Sequence, residues 1–89
     1  MAVVHIPASM RALTGGRTEV TAPGATLGEV IDNLDSVYPG LKERLIVDGK
    51  LRGSLAVFVG DQLPTTGLRT KLEPEASVYF APAIAGGAL

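Results

Sequence analysis

The chain has 89 residues, of which 46% are hydrophobic and none is cysteine. A chain of this length forms one domain, and its hydrophobic fraction is too high for a disordered polypeptide. The formal net charge of -1 argues against a nucleic-acid-binding protein, which would carry a basic face. Without cysteine, thiol nucleophiles, disulfide bonds and thiolate metal sites are excluded.

The N-terminal residues lack the charged segment and the apolar core of a signal peptide. No apolar run approaches the roughly 20 residues that a membrane-spanning helix needs. The sequence therefore predicts a cytoplasmic protein that binds neither a membrane nor a nucleic acid.

The first segments of the chain predict a β-hairpin with a wide loop. Residues 3–6 form a β-branched run that ends at Pro7, and residues 17–21 alternate as an edge strand does. Gly15-Gly16 marks a turn between them, and the conformation of residues 8–13 is left open.

The most regular pattern in the sequence predicts an amphipathic helix. Thr26, followed three residues later by Glu29, has the form of a capping box. Tyr38-Pro39-Gly40 ends the helix. Behind the cap, hydrophobic residues recur at helical spacing and form one apolar stripe: Leu27, Val30, Ile31, Leu34 and Val37.

The second half of the chain predicts further strands. Residues 41–45 suit one more helical turn, and Asp48-Gly49 suits a tight turn. Residues 55–59 form an apolar strand, and a final strand begins near Val78. The order β-β-α-β-(β)-β predicts an α+β domain, with the helix across one face of the sheet and the last strand parallel to the first.

Alternation along the strands divides their side chains between the two faces of the sheet. The set expected to face the helix is Val4, Ile6, Ala56, Phe58, Val78 and Phe80. The opposite set is Val3, His5, Leu55, Val57, Val59, Tyr79 and Ala81. The second set is too apolar for a solvated face, so it predicts an exposed patch of the kind that binds partners. Two alternatives to an exposed patch remain. A loop could cover this face, or the assigned strand register could be off by one residue, which would exchange the two sets.

The polar residues do not assemble a catalytic site. His5 is the only histidine and has no acidic neighbour in the sequence, so its strand position indicates a structural role. The spacing of Glu29, Asp32 and Asp35 fits a solvated helix face, and Gly15-Gly16 lacks the lysine of a phosphate-binding loop. We therefore expect a protein that is acted upon rather than an enzyme, with no metal site and no bound cofactor.

Residues 78–89 begin as a strand, pass Pro82 and continue as small residues around Gly86-Gly87. Glycine lets the walls of a narrow channel approach the backbone closely, so this end of the chain suits insertion into another protein. A frayed terminus is the alternative.

The order of elements and the terminal Gly86-Gly87 resemble ubiquitin and, more closely, the prokaryotic sulfur carrier proteins. That family includes the small subunit of molybdopterin synthase, the thiazole-pathway carrier and the actinobacterial carrier for cysteine biosynthesis. The matching segments are residues 6–16, 25–31 and 82–87. The resemblance implies a β-grasp fold with a mixed sheet of four to five strands, one main helix on one face and a flexible C-terminal tail. The β-grasp domain would span residues 1–82 and the tail residues 83–89.

The resemblance also implies chemistry on the carboxylate of Gly87, at the end of a tail that includes Ile84, Ala85 and Gly86. A ubiquitin-activating-type enzyme would adenylate this carboxylate with ATP. A sulfide or persulfide source would then convert it to a thiocarboxylate. The tail would deliver the sulfur to an accepting enzyme of cysteine or other sulfur-metabolite biosynthesis.

In this sequence Ala88-Leu89 follows Gly87, so that glycine lies in a peptide bond. Some carriers are similar in having such an extension, and the resemblance implies its removal by a zinc-dependent, deubiquitinase-like protease. The alternative explanation of the two extra residues is that the chain is a degenerate domain, which no longer carries sulfur. For the whole protein the alternative is a ubiquitin-like interaction module with an inert tail. The family's partner-binding positions correspond here to Pro7, Val57, Leu63, Tyr79 and Ala81.

Overall fold

The structure is a computed structural model, and it describes residues 1–53, 55–64 and 66–82. Within these ranges no helix has both the length and the apolarity to cross a membrane. The elements in chain order are β1 (Ala2–His5), a 3₁₀ segment (Ala8–Thr14), β2 (Glu19–Ala22), α1 (Leu27–Val37), α2 (Leu41–Leu45), β3 (Ile46–Val47), β4 (Lys50–Leu51), β5 (Leu55–Val59), a second 3₁₀ segment (Gly67–Arg69) and β6 (Ser77–Pro82).

Four strands form the main sheet, in the order β2-β1-β6-β5. β1 is antiparallel to β2 and parallel to β6, whereas β5 is antiparallel to β6. The predicted hairpin and the predicted parallel pair of first and last strands are therefore confirmed. β3 and β4 make a separate two-stranded ribbon around Asp48-Gly49, where both residues have positive φ as a tight hairpin turn requires.

α1 begins with the predicted cap. The Thr26 hydroxyl accepts a hydrogen bond from the Glu29 amide at 3.3 Å, and the Glu29 carboxylate accepts one from the Ala25 amide at 2.9 Å. Four members of the predicted stripe are fully buried, but Val37 is 66% exposed because the helix ends there. The buried residues of the stripe are Leu27, Val30, Ile31 and Leu34.

A short turn joins α1 to α2, which is the helical turn predicted at residues 41–45. One carboxylate oxygen of Asp35 accepts hydrogen bonds from the amides of Gly40 and Lys42, both at 3.1 Å. The Lys42 ammonium lies 2.6 Å from the Asp32 carboxylate, and this hydrogen bond raises the pKa of Lys42. On the inner side of α2, Leu41 and Leu45 are buried in the core.

The core lies between α1 and one face of the main sheet. The sheet residues that fill it are Val4, Ile6, Val20, Val78 and Phe80, each at most 7% exposed. Burial of a large aliphatic or aromatic side chain stabilises the fold by roughly 1.5–3 kcal/mol, so this layer is a major source of stability.

The predicted orientation of β5 is wrong by one residue. Val57 is only 7% exposed and is paired with buried Phe80. Residues directly opposite each other on neighbouring strands share a face, so Val57 points toward the helix. Ala56 and Phe58, paired with Ala81 and Tyr79, lie on the other face. The two predicted sets are therefore exchanged along β5, which places Leu55, Val57 and Val59 on the helix side and Ala56 and Phe58 on the opposite side.

Gly24 lies where the chain enters α1 and has a φ of +152°. A Cβ atom there would stand 2.7 Å from the backbone nitrogen of Val30, so we expect Gly24→Ala to lower the free energy of unfolding by about 2 kcal/mol or more. Urea denaturation measures the effect. Gly53→Ala is the control, because nothing lies within 4 Å of its added Cβ, and it should change stability by less than ~1 kcal/mol. Equal effects of the two substitutions would contradict the expectation.

The orientation of β5 can be tested with the same substitution on the two faces. Val57→Thr puts a hydroxyl into the core and should cost about 1–2 kcal/mol of unfolding free energy. Val3→Thr introduces the same group on the half-buried opposite face and should cost less than ~0.5 kcal/mol. Chemical denaturation of the two variants measures both free energies of unfolding. If Val57→Thr were as mild as Val3→Thr, the burial of Val57 would be wrong.

Candidate functional site

The sheet face opposite α1, called the open face below, is the candidate functional surface. Along β1, β2 and β6, every second residue is buried and the residues between them are more exposed. With 41% of its surface exposed, Tyr79 is one of the large exposed hydrophobic residues of the described chain. The residues of the open face, taken from the strand registers, are Val3, His5, Glu19, Thr21, Ala56, Phe58, Ser77, Tyr79 and Ala81.

Four of these residues form one line across the sheet, which we call the transverse row. Glu19 is paired with His5, His5 with Tyr79, and Tyr79 with Phe58. The rings of His5 and Tyr79 stack with their centroids 4.0 Å apart and an angle of 6° between their planes. Nδ1 of His5 lies 4.0 Å from Oε1 of Glu19. The row therefore places a carboxylate, an imidazole, a phenol and a phenyl ring side by side.

The predicted partner-binding positions are distributed unevenly over the structure. Tyr79 and Ala81 lie on the open face. Leu63 is 62% exposed and follows the turn after β5, whereas Pro7 is half-buried just beyond β1. Val57 is in the core, so the prediction that it faces a partner is wrong. For the other four positions, the role in partner binding stays a prediction.

Phe58, Ala56 and Glu19 are not among the residues that the sequence predicts for this face. Phe58 and Ala56 take the place of Val57, because β5 has the opposite orientation from the one predicted. The alternation of residues 17–21 predicted an edge strand but assigned neither Glu19 nor Thr21 to a face of the sheet. What it did not reveal is that Glu19 lies directly beside His5, which depends on the register of the hairpin.

The predicted tail follows directly from the open face. β6 ends at Pro82, opposite Leu55 at the start of β5. The residues predicted to carry the chemistry or to be removed lie outside the described part of the chain: Ile84, Ala85, Gly86, Gly87, Ala88 and Leu89. Their predicted roles, and the division of the chain at residue 82, therefore stay predictions.

Ionisable groups are sparse on the strands of the main sheet. The four strand sequences, AVVH, EVTA, LAVFV and SVYFAP, contain Glu19 as their one acidic residue and contain no lysine or arginine. Among residues 1–53, 55–64 and 66–82, no three His, Asp or Glu side chains come together as metal ligands. The strand residues of the open face thus carry one carboxylate, at the β2 edge, and are otherwise apolar or polar without a permanent charge.

Comparison with known proteins identifies the family to which the fold belongs. Residues 4–87 match the model of the ThiS family. The chain aligns with the sulfur carrier protein CysO of Mycobacterium tuberculosis at 40% identity over an alignment 89 residues long. The alignment covers 94% of this chain and 96% of that protein.

Solved structures of CysO-type proteins match this fold as well. A chain of the Amycolatopsis orientalis BexX/CysO complex superposes with a TM-score of 0.90 at 36% identity, over 98% of this chain and 100% of that one. The crystal structure of M. tuberculosis CysO superposes with a TM-score of 0.88 at 38% identity, over 93% and 99%.

These relatives are carrier proteins rather than catalysts, as the sequence analysis expects for this chain. The similarity covers nearly the whole length of both chains in each comparison. The predicted resemblance and the predicted fold class are therefore confirmed: the chain belongs to the ThiS family of ubiquitin-like β-grasp sulfur carrier proteins.

Proposed function

We propose that the chain carries sulfur as a thiocarboxylate on Gly87, after Ala88 and Leu89 have been removed. The observation that carries this proposal is the family match, which ends at Gly87 and leaves the last two residues outside. The residue types support it as well. Glycine has no side chain to hinder attack on its carbonyl carbon, and the chain has no cysteine that could carry sulfur in another way.

The proposed cycle begins with adenylation. An oxygen of the Gly87 carboxylate attacks the α-phosphorus of ATP, pyrophosphate leaves, and a mixed anhydride forms. Sulfide then attacks the carbonyl carbon, the bond to the phosphate oxygen breaks, and AMP departs with the electron pair. The product is a thiocarboxylate. A persulfide on a partner enzyme can replace sulfide if a second thiol cleaves the sulfur–sulfur bond.

Three partner enzymes follow from this cycle. A zinc-dependent, deubiquitinase-like protease would cleave between Gly87 and Ala88, a ubiquitin-activating-type enzyme would adenylate Gly87, and an enzyme of cysteine or other sulfur-metabolite biosynthesis would accept the sulfur. The complex of A. orientalis CysO with BexX supports the idea that carriers of this kind dock on another protein. Because adenylation consumes ATP, we place the cycle in the cytoplasm. The open face is the surface that would dock.

A second candidate function is a ubiquitin-like interaction module with an inert tail. The observation that favours it is Ala88-Leu89, because Gly87 has no free carboxylate while these residues remain. Both functions use the open face for binding. They differ in whether the tail is needed.

Conversion to the thiocarboxylate is measurable by mass spectrometry. The chain ending at Gly87, incubated with a ubiquitin-activating-type enzyme, ATP and sulfide, should gain the mass that corresponds to one oxygen replaced by sulfur. The chain ending at Leu89 is the matched control and should gain nothing, because its Gly87 is in a peptide bond. Absence of both adenylate and thiocarboxylate, with an enzyme that charges CysO of M. tuberculosis, would rule out the proposal.

Deletion of residues 84–89 separates the two candidate functions. If the chain is a carrier, the deletion abolishes sulfur transfer in a reconstituted assay. Stability should change by less than ~0.5 kcal/mol in urea denaturation, because the core residues of the described chain end at Phe80. An interaction module would instead keep its cellular function without these residues. Retention of function by the deletion variant would thus favour the inert tail.

A further inference from the structure

We propose that the transverse row is a docking ridge for a partner protein that presents an arginine. The guanidinium would pair with Glu19 and lie along the stacked rings of His5 and Tyr79, while apolar partner side chains cover Phe58. The inference rests on the proposed function, which requires a partner, and it adds the chemistry and the orientation of that partner.

The shape of the open face makes the row a ridge. On the same face, the strand residues two positions from the row have short side chains, whereas Arg17 and Pro7, two positions from Glu19 and His5, lie just outside β2 and β1. Thr21, Val3 and Ser77 are neighbours in register on one side, and Ala56 is paired with Ala81 on the other. The long side chains of the row therefore stand above shallow flanks, and a partner has to fit around them.

The centre of the ridge is ordered before any partner binds. The His5 and Tyr79 rings are nearly parallel at 4.0 Å, so each restricts the rotamers of the other. Tyr79 nevertheless keeps 41% of its surface exposed. Fixing a mobile side chain at an interface costs about 0.5–1.5 kcal/mol, and the stack removes part of this cost from binding. Exposed, ordered aromatic side chains are typical anchors of protein interfaces.

The charge of the ridge identifies the partner's chemistry. The Glu19 side chain is 57% exposed, and its ion-pair contact within the described chain is Nδ1 of His5 at 4.0 Å, beyond hydrogen-bonding distance. No ion pair joins it to the nearby Arg17 among the described residues. A carboxylate with free oxygens beside aromatic rings suits a guanidinium. Arginine pairs with carboxylates through two parallel hydrogen bonds and also stacks on rings, which lysine does less well.

The asymmetry of the ridge fixes how the partner lies. Its charged end is at the β2 edge of the sheet and its apolar end, Phe58, is at the β5 edge. A partner with one cationic and one apolar contact can therefore bind in one direction only. The Ala56–Ala81 flank lies between the ridge and Pro82, the last described residue. A fixed direction along the ridge thus determines on which side of the partner Pro82 lies.

The test uses BexX of A. orientalis as the binding partner and isothermal titration calorimetry as the measurement. Glu19→Arg places like charge against the partner's arginine and should weaken binding about tenfold or more. The matched control is Glu43→Arg, the same charge change on α2, on the helix side of the sheet, and it should stay within about twofold of the wild type. Thermal unfolding of both variants checks that each is folded.

Two further measurements separate ridge docking from general charge effects. His5→Ala removes the stack without changing a carboxylate and should weaken binding about threefold or more, because Tyr79 is no longer held. Raising the salt concentration should weaken binding of the wild type more than binding of Glu19→Gln, which has lost the ion pair.

The proposal is overturned if Glu19→Arg binds BexX as the wild type does, or if Glu43→Arg weakens binding equally. It is also overturned if the wild type fails to bind BexX under conditions in which A. orientalis CysO binds. The mass-spectrometric assay on Gly87 is independent of these results. If the chain forms the thiocarboxylate but its affinity for BexX does not depend on Glu19, only the docking ridge is refuted. If the chain forms no thiocarboxylate, the carrier function is refuted.

Discussion

The parallel pairing of β1 with β6 is the constraint on which the rest of this structure depends. The two strands come from opposite ends of the described chain and lie at the centre of the sheet, where Val4 is paired with Val78. Both residues are buried almost completely, at 1% and 0% exposure. Parallel neighbours cannot be joined by a tight turn, so the intervening chain has to cross one face of the sheet. α1 makes that crossing, and β2 and β5 can then add only at the outer sides.

The same pairing creates the open face. One helix layer covers one side of a four-stranded sheet, so the alternate side chains of every strand remain on the other side. Because β1 and β6 run side by side in a fixed register, His5 and Tyr79 become neighbours although they are far apart in sequence. β2 and β5 extend that line to Glu19 and Phe58. The surface that we propose for docking thus arises from the pairing that forms the core, and it extends to the end of β6.

The two regions to which we assign a function differ in how they can be identified. The Gly86-Gly87 motif is local, so the role we propose for it rests on the order of residues and on the family match, which ends at Gly87. The docking ridge is nonlocal, because its four residues belong to four strands and none is next to another in sequence. The orientation of β5 shows why such a nonlocal feature is difficult to predict from the sequence. Residues 55–59 are all apolar, so hydrophobicity does not distinguish the inward side from the outward side.

The sequence by itself determined the elements whose signals are local. These are the capped helix with its apolar stripe, the hairpin with its polar alternation, the turns and the helix end at glycine and proline, and the terminal glycine pair. Only the tertiary structure decided that Val57 is buried and Phe58 is not, because the pairing of β5 with β6 selects which side of an entirely apolar strand meets the helix. It alone placed Glu19 beside His5 and His5 against Tyr79. Strand register is a property of two chain segments together, and neither segment encodes it alone.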